Sequence, residues 1–393
     1  MKPDIPNKLS AHITSRLTAL FSLPLVLFAV LLSVACTSQA SDVVPTPWSA
    51  SAVPSEQEAF CLSHRQILAQ LTGVMVPYED FSSLSAAAAK GELSLIGILG
   101  DPAATSRQSL LEQIAALQSS SPVPLLFGSD EESRSVQRLD KLIYKLPSTR
   151  QLLESGPLIV EDIFREYALE MRRLGFHMTF GPVVDVGNGP GIKRRSFGGD
   201  SNTVTDISSA VIRGLATGGI YSVIKHFPGH GNVNVDSHDD LPLTPAFSAM
   251  HGQVSVYREL FERWNDSVGV MVGHLNVPEL TYGEPASLSA DAINSLLREQ
   301  LGFAGVVITD SLDMGAISRT SGQAAAGLRA ILAGADIALV SRWSEQQKLL
   351  KKLEKAVASG ELDWQRVKQS ATRVLALKDQ LTGSSATAAI CGA

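Results

Sequence analysis

The chain has 393 residues, of which 45% are hydrophobic and 18% are charged, and its formal net charge is −6. This composition is typical of a globular protein, and the length suffices for one large α/β barrel or for two smaller domains. The mild negative charge, without a stripe of Lys or Arg along the chain, excludes nucleic acid as an expected partner.

The N-terminus has the pattern of an export signal. A positively charged segment that contains Lys2, Lys8 and Arg16 precedes a long apolar run over residues 17–36. This order of a charged region and an apolar region predicts a signal peptide over residues 1–40. Because the apolar run is long enough to span a bilayer, a membrane anchor is the alternative.

The end of this segment leaves two processing routes open. Residues 33–36, SVAC, resemble a degenerate lipoprotein signal that would lipidate Cys36, although the usual Leu three residues before the Cys is missing. Residues 38–40, SQA, offer an ordinary cleavage site instead. Either route predicts an exported protein, periplasmic or attached as a lipoprotein to a membrane of the cell envelope through its N-terminus.

The chain after the signal divides into three parts. Residues 41–55 are rich in Pro and Ser and predict a linker, and residues 383–393 are small and polar and predict a loose tail. The folded domain is then expected over residues 56–382. Cys61 and Cys391 could form a disulfide bond in an oxidising compartment, and the alternative is two unrelated thiols.

Short apolar runs alternate with helical patterns throughout this domain. The runs lack strict alternation of polar and apolar residues, as buried parallel strands do, and they cover residues 71–76, 95–99, 123–128, 176–184, 221–227, 268–274, 305–310 and 336–341. Helical patterns lie between them, among others over residues 106–118, 160–175, 205–219, 289–302 and 324–335. The alternation predicts a single (β/α)8 TIM-type barrel. A doubly wound sheet is the alternative, but no G-x-G-x-x-G motif opens a helix after the first strand.

In such a barrel the active site lies at the carboxyl ends of the strands. Polar residues follow the predicted strands at these ends, and we expect them to face one mouth: Asp130, Asp185, Lys225, His226, His274 and Asp310. Asp310 ends a strongly apolar run, which favours a nucleophile or a general base there. The alternative for Asp310 is the N-cap of a following helix.

The stretch KHFPGHGNVNVDSH, residues 225–238, contains glycines and a proline that force a loop after the strand. Asp236 lies two residues before His238, so its carboxylate can orient the imidazole and raise its pKa. A metal site is a weaker alternative, with His226, His230, Asp236, His238 and His274 as ligands. His230 alone is predicted to be a structural residue that bonds loop carbonyls.

Several segments, in order along the chain, resemble glycoside hydrolase family 3, and in particular its β-N-acetylglucosaminidases. They are KHFPGHG followed by DSH, FGPVVDVGNGPGIKRRSFGGD, and the long segment from VMVGH to ITDSLDM. The resemblance covers roughly residues 65 to 340. It implies a one-domain barrel with a retaining mechanism and with no cofactor or metal.

The resemblance also implies roles for individual residues. Asp310 matches the nucleophile, His238 the acid/base on a mobile loop, and Asp236 the partner that orients it. The residues that match sugar-binding positions are Asp130, Arg195, Lys225 and His226, with His274 as a further candidate. For Arg195 the alternative is an ion pair with Asp200 or Asp185, and for His274 a structural role at the end of its strand.

One segment departs from the family pattern. The family has DQEGGxVxR where this chain reads DEESRSVQR, so that Ser133 and Arg134 replace two glycines. If those glycines need a positive φ or a close backbone approach, the loop must be reshaped here. Arg134 could then point into the pocket and alter its specificity.

These observations predict an exported, monomeric exo-β-N-acetylglucosaminidase. Its expected substrate is a terminal β-linked GlcNAc on a peptidoglycan fragment or on a related amino-sugar chain. A β-glucosidase or a phosphorolytic relative of the same family is one alternative. A catalytically weak sugar-binding lipoprotein is another, although binding alone does not need a nucleophile with an acid/base.

Overall fold

A computed structural model describes residues 62–100, 105–383 and 386. The predicted signal peptide with Cys36, the linker, the Cys61–Cys391 pair and nearly all of the C-terminal tail lie outside these residues and stay predictions. Within the described residues, no helix has the length and apolarity that crossing a membrane requires.

Eight parallel strands form one sheet that is nearly closed into a barrel. The strands of the chain are, in order, β1 Thr72–Pro77, β2 Leu95–Leu99, β3 Leu126–Ser129, β4 Glu131–Ser133, β5 Val136–Gln137, β6 Met178–Thr179, β7 Tyr221–Phe227, β8 Val268–Val272, β9 Val307–Thr309 and β10 Ala338–Val340. The sheet runs β10-β1-β2-β3-β6-β7-β8-β9, and a parallel bridge between Ile308 and Ile337 joins its two edges. Because the strands follow chain order around the sheet, the barrel prediction is confirmed and the doubly wound alternative is wrong.

The helices lie between the strands. They are α1 His64–Ala69, α2 Ser85–Ala89, α3 Arg107–Ser120, α4 Thr149–Ser155, α5 Pro157–Arg173, α6 Ser201–Thr217, α7 His251–Trp264, α8 Gly315–Ser318, α9 Gln323–Ala333, α10 Trp343–Ser359 and α11 Trp364–Thr382. The predicted helix over residues 289–302 is present as a π-helix, Asp291–Gln300. The other predicted helices correspond to α3, α5, α6 and α9.

The strands form because their side chains are buried on both faces. All residues of β3, β7 and β8 are buried, which explains why these segments are apolar without alternation. Inside the barrel, Met75, Phe180 and Met271 belong to a cluster separate from the main core between the sheet and the helices.

Helix α11 closes the amino end of the barrel. Its residues Val374, Leu377 and Leu381 belong to the interior cluster. Lys378 of the same helix donates a hydrogen bond of 2.6 Å to Gln70, which lies just before β1. The carboxyl ends of the strands are therefore the end at which the barrel interior can receive a ligand.

The packing of α5 against α6 provides a test of the fold. A Cβ at Gly214 would lie 2.3 Å from the carbonyl oxygen of Glu161 on the facing helix. We expect Gly214→Ala to lower the free energy of unfolding by about 1–3 kcal/mol, because the two helices must move apart. Gly252→Ala is the matched control, because a Cβ on this α7 residue meets nothing within 4 Å. Urea unfolding of both variants measures the difference, and equal stabilities would contradict the described contact.

Candidate active site

A cavity of about 390 Å³ lies at the carboxyl ends of the strands. Most of the predicted site residues line it, as the barrel architecture requires. They are Asp130, Arg195, Lys225, His226, Asp236, His238 and Asp310. The inner side chains Met75, Phe180 and Met271 also line it, so the cavity joins a polar wall to the apolar interior of the barrel.

A cluster of buried and half-buried charges forms one wall. The ammonium of Lys225 lies 2.7 Å from a carboxylate oxygen of Asp130 and 2.7 Å from one of Glu132. Arg195 binds Glu132 with two parallel hydrogen bonds of 2.7 and 2.8 Å. We call these four residues the ion cluster. It ties the end of β3, the strand β7 and the turn at Lys193–Arg195 together.

Three members of the ion cluster, Glu132, Lys225 and Arg195, have pKa values that favour their charged forms. Burial alone would raise the pKa of Glu132, but Arg195 and Lys225 hold it well below its usual range. Burial alone would lower the pKa of Lys225 and of Arg195, but their carboxylate partners raise both pKa values. These three groups are therefore charged hydrogen-bonding groups at neutral pH.

The alternative ion pairs that we considered for Arg195 are wrong. Asp200 accepts hydrogen bonds from the backbone and hydroxyl of Thr203 and caps α6. Asp185 bonds His226 and the backbone of His230. The partner of Arg195 is Glu132, which sequence analysis did not single out. Its position two residues after Asp130, at the end of an apolar strand, was the available signal.

Lys225 and His226 both line the cavity although they are adjacent in β7. Successive residues of a regular strand point to opposite faces. Here the pairing of β7 with β8 shifts register between Lys225 and Phe227. The irregularity lets two neighbouring side chains reach the same site.

Asp185 lies beneath the cavity rather than in it. Its side chain is fully buried and bonds His226 Nδ1 at 2.8 Å and the backbone N–H of His230 at 2.7 Å. Burial would raise the pKa of Asp185, but His226 lowers it. The expectation that Asp185 faces the mouth is therefore wrong, because this carboxylate orients the His226 ring from below.

Asp310 directly follows β9, and its side chain is 15% exposed in the cavity. Burial alone would raise the pKa of the Asp310 carboxyl, but the positive potential of His226 and of other basic neighbours lowers it to about 2. One of its oxygens accepts the N–H of Ser311, and the other lies 4.0 Å from His226 Nε2. The N-cap alternative is wrong, because the residue before α8 is Met314.

The loop with Asp236 and His238 reaches over the cavity. Asp236 bonds His238 Nδ1 at 2.8 Å and the His238 backbone N–H at 3.1 Å, so the imidazole turns Nε2 away from the carboxylate. His230 bonds the hydroxyl of Ser237 at 2.9 Å rather than loop carbonyls. The His238 side chain is 66% exposed, which leaves it accessible to a ligand.

This loop is docked on the segment that follows Asp310. The backbone N–H groups of Gly315 and Ala316 donate to the carbonyls of His238 and Ser237, at 3.2 and 3.1 Å. A Cβ at Gly315 would lie 2.4 Å from the His238 carbonyl oxygen, so the close approach requires glycine.

His274 is the exception among the predicted site residues. It is fully buried, does not line the cavity, and bonds the Ser287 hydroxyl at 2.7 Å and the Ser311 carbonyl at 2.9 Å. Because both ring nitrogens are occupied, the expectation that His274 contacts the sugar is wrong. Its contact with Ser311 supports the backbone next to Asp310.

The candidate metal ligands are divided among separate pairs. His226 bonds Asp185, His230 bonds Ser237, and His238 bonds Asp236. Across the described part of the chain, no group of three or more His, Cys, Asp or Glu side chains has the arrangement of a metal site.

Comparison with known proteins identifies the family to which the chain belongs. The model described as Glycosyl hydrolase family 3 N terminal domain matches residues 70–377. The chain belongs to glycosyl hydrolase family 3. It is therefore a glycoside hydrolase, with carbohydrate as its substrate.

Named relatives of this family 3 chain are β-hexosaminidases. It is 41% identical over 347 residues to the beta-hexosaminidase LpqI of Mycobacterium tuberculosis, covering 85% of this chain and 87% of that protein. The solved structure of M. tuberculosis LpqI superposes with a TM-score of 0.75 at 38% identity, over 82% of this chain and 96% of that one. A family 3 β-N-acetylglucosaminidase from Paenibacillus sp. FPU-7 superposes with a TM-score of 0.77 at 32% identity, over 82% of this chain and 63% of that one.

The segment that departs from the family 3 pattern forms the antiparallel ribbon β4–β5. Neither Ser133 nor Arg134 is among the residues with positive φ, so the backbone does not need glycine here. Ser133 is buried and bonds the hydroxyls of Thr149 and Ser135. Arg134 does not line the cavity, so the expectation that it points into the pocket is wrong.

The same ribbon contains a buried carboxyl group that sequence analysis missed. Glu131 occupies the position of a glutamine in the family pattern. It accepts hydrogen bonds from the hydroxyls of Ser129 and Tyr167, both at 2.6 Å, and from the N–H groups of Arg138 and Leu139, both at 3.2 Å. Burial raises the pKa of Glu131 to about 8. The raised pKa favours the protonated carboxyl at neutral pH.

This raised pKa predicts a pH-dependent stability. The folded-state pKa of about 8 exceeds the ordinary value of 4.5. The contribution of Glu131 to the free energy of unfolding is therefore complete below pH 4.5 and is lost as the pH rises through 8. We expect Glu131→Gln to remove this pH dependence. The free energy of unfolding of the variant, relative to that of the wild type, should therefore rise by roughly 3–5 kcal/mol between pH 4.5 and pH 9. Urea unfolding at both pH values measures the change. A constant difference between the two proteins would contradict a neutral Glu131.

Proposed function

We propose that the protein is a retaining exo-β-N-acetylglucosaminidase that removes terminal β-linked GlcNAc from peptidoglycan fragments or related amino-sugar chains. The observation that carries the proposal is the placement of an ionised Asp310 and the Asp236–His238 pair around one cavity. The names of the relatives support the amino-sugar substrate. The signal pattern of residues 1–40 supports export, where cell-wall material is available. We take the active form to be a monomer.

In the first step the Asp310 carboxylate attacks the anomeric carbon, and the bond between that carbon and the aglycone oxygen breaks. A low pKa suits this role, because the carboxylate stays ionised and free to form the bond. The imidazolium of His238 donates its Nε2 proton to the departing oxygen. The products are a glycosyl ester on Asp310 and the protonated aglycone.

In the second step water replaces the aglycone. Neutral His238 accepts a proton from the water, whose oxygen attacks the anomeric carbon and releases the Asp310 carboxylate. Two displacements at one carbon return the β configuration. Asp236 stabilises the imidazolium and fixes the ring nitrogen that exchanges the proton, as an orienting carboxylate does in other acid/base pairs.

The ion cluster supplies the groups that hold the sugar. Lys225, Arg195 and Asp130 present charged donors and acceptors to the cavity, and His226 Nε2 faces the same space. Their geometry is set before a sugar arrives, so little ordering accompanies binding. Such a wall discriminates against sugars that lack matching hydroxyl or amide groups.

The substrate class is tested with aryl glycosides. The mature chain should hydrolyse an aryl β-N-acetylglucosaminide much faster than the aryl β-glucoside. Asp310→Asn should lower kcat by several orders of magnitude with an unchanged fold, whereas Asp291→Asn, on the exposed start of the π-helix, should keep wild-type rates. NMR of the first-formed product should show the β anomer.

The outcomes of these assays separate the alternatives. Preference for the glucoside would overturn the amino-sugar assignment, and an α product would overturn the retaining mechanism. Release of a sugar 1-phosphate in phosphate buffer would identify a phosphorolytic enzyme. A folded protein without turnover on either glycoside would favour a sugar-binding protein.

The acid role of His238 predicts a dependence on the leaving group. His238→Ala should lower kcat/KM by about 10²–10⁴-fold for a disaccharide but far less for a dinitrophenyl glycoside, because a good leaving group needs little protonation. The exposed His251 on α7 provides the control variant His251→Ala, which should behave as the wild type with both substrates. Equal losses for the two leaving groups would contradict proton donation by His238.

A further inference from the structure

His230 is a buried histidine that the proposed mechanism does not use. The residue lines the catalytic cavity and is 2% exposed. Its Nε2 lies 2.9 Å from the hydroxyl of Ser237, whereas its Nδ1 has no hydrogen-bond partner among the described residues. A buried nitrogen without a partner is unfavourable for folding. The contact with Ser237 is therefore the polar interaction of this ring that calls for an explanation.

Ser237 lies between the two residues of the proposed acid/base pair, Asp236 and His238. All three belong to the loop over residues 229–238, which we call the His238 loop. Ser237 is buried, although Asp236 is half-buried and His238 is exposed. Ser237 is therefore the residue that packs this part of the loop against the protein.

Two hydrogen bonds from separate segments hold Ser237. Its hydroxyl bonds the His230 ring, and its carbonyl accepts the backbone N–H of Ala316 at 3.1 Å. The first bond ties the outer part of the His238 loop to the base of the same loop. The second bond ties it to the segment that follows Asp310. Without the His230 ring, Ser237 would keep only the second of these two bonds.

The base of the His238 loop is fixed, so the His230 ring has a defined position. The backbone N–H of His230 donates to Asp185 at 2.7 Å, and Asp185 also bonds His226 Nδ1 at 2.8 Å. A Cβ at Gly231 would lie 2.0 Å from the Val186 carbonyl oxygen, which shows how closely the loop backbone approaches this neighbour. The rings of His230 and His226 meet edge to face, with centroids 5.5 Å apart. The His230 ring thus connects a proposed sugar-binding residue to the outer part of the loop.

The hydrogen bond between His230 and Ser237 is one between neutral groups. Burial and the positive potential of His226 lower the pKa of His230 to about 4, which favours the neutral ring at neutral pH. Titration of the His230 ring therefore does not disturb the contact in the pH range where the enzyme is assayed.

We infer that His230 is a positioning residue for the proposed acid/base. Its ring holds Ser237 and thereby sets where the His238 imidazole stands relative to Asp310. The inference rests on the proposed function, since it concerns the placement of the group that exchanges the proton. In this role His230 itself exchanges no proton with the substrate or with water.

The test removes the contact from either side. His230→Ala removes the ring and Ser237→Ala removes the hydroxyl, whereas His230→Gln and Ser237→Thr keep a polar group at the matching position. Ser237→Ala leaves the packing of His230 on His226 in place, so it isolates the effect on the loop. The control is Ser208→Ala on α6, which removes a buried hydroxyl that has no hydrogen-bond partner within the described part of the chain.

The first readout is the dependence on the leaving group. His230→Ala and Ser237→Ala should lower kcat/KM for a disaccharide about 10- to 100-fold, because a displacement of about 1 Å at a reacting group has this effect. They should affect a dinitrophenyl glycoside far less, since its leaving group needs little protonation. His230→Gln and Ser237→Thr should restore most of the rate, and Ser208→Ala should match the wild type. Equal losses for the two substrates, or wild-type rates in both alanine variants, would overturn the inference.

A double variant separates positioning from a general loss of structure. In the His238→Ala background the positioned group is absent, so Ser237→Ala should lower kcat/KM for the disaccharide much less than it does in the wild-type background. A fall of the same size in both backgrounds would contradict a role that acts through His238.

A measurement of loop docking distinguishes the failure of this inference from the failure of the proposed function. Hydrogen exchange of peptides that cover residues 311–318 reports on the two backbone bonds that Gly315 and Ala316 donate to the loop, and it needs no turnover. Exchange there should be about 10-fold faster in His230→Ala and Ser237→Ala than in the wild type or in Ser208→Ala. Unchanged exchange would overturn the role of His230 whatever the enzyme hydrolyses. Faster exchange, combined with a His238→Ala variant that shows no leaving-group dependence, would overturn only the proposed function.

Discussion

The contact of the Lys225 ammonium with Asp130 and Glu132 is the interaction on which the site depends. It joins the end of β3 to β7 at the mouth of the barrel, and Glu132 also forms an ion pair with Arg195. Burying the charges of Glu132 and Lys225 is costly, and removing one of these two would leave the other uncompensated and would destabilise the fold by about 3–5 kcal/mol. The cluster is therefore maintained only as a complete set. The hydrogen bonds within the cluster hold its charged groups in fixed positions on the wall of the cavity.

The two proposed catalytic groups lie in different environments. Asp310 lies on a separate strand, where basic neighbours keep its carboxylate ionised, and His238 lies on an exposed loop. The ion cluster lines the cavity, and in the proposed mechanism it takes no part in proton transfer. The proposed mechanism thus assigns sugar binding and proton exchange to different elements of the barrel.

Much of this arrangement could be predicted from sequence, because parallel strands that are buried on both faces are continuous apolar runs. Each of the eight barrel strands overlapped a predicted apolar run, and most of the polar residues predicted to follow them line the cavity at one end of the barrel. Motif resemblance then singled out Asp310, Asp236 and His238. Asp310 directly follows its strand, and Asp236 and His238 lie two residues apart on one loop, so each of these features is local in sequence.

Sequence analysis failed where the outcome depended on contacts between distant segments. The partner of Arg195 is 63 residues away, and nothing in the RSFG segment distinguishes Glu132 from Asp185 or Asp200. The register shift at Lys225 has no sequence signature, and the burial of His274 follows from Ser287 and Ser311.

The docking of the His238 loop on α8 has a consequence for how the two catalytic elements can move. Two backbone hydrogen bonds join residues 237–238 to residues 315–316, and no side chain separates them at Gly315. An outward movement of the loop would break both hydrogen bonds, so these bonds define the position of the loop over the cavity. Because the loop is docked on the segment that begins at Asp310, the proposed proton donor is fixed to the segment that carries the proposed nucleophile. A displacement of that segment would carry both side chains together and would keep the spacing that the proposed mechanism needs.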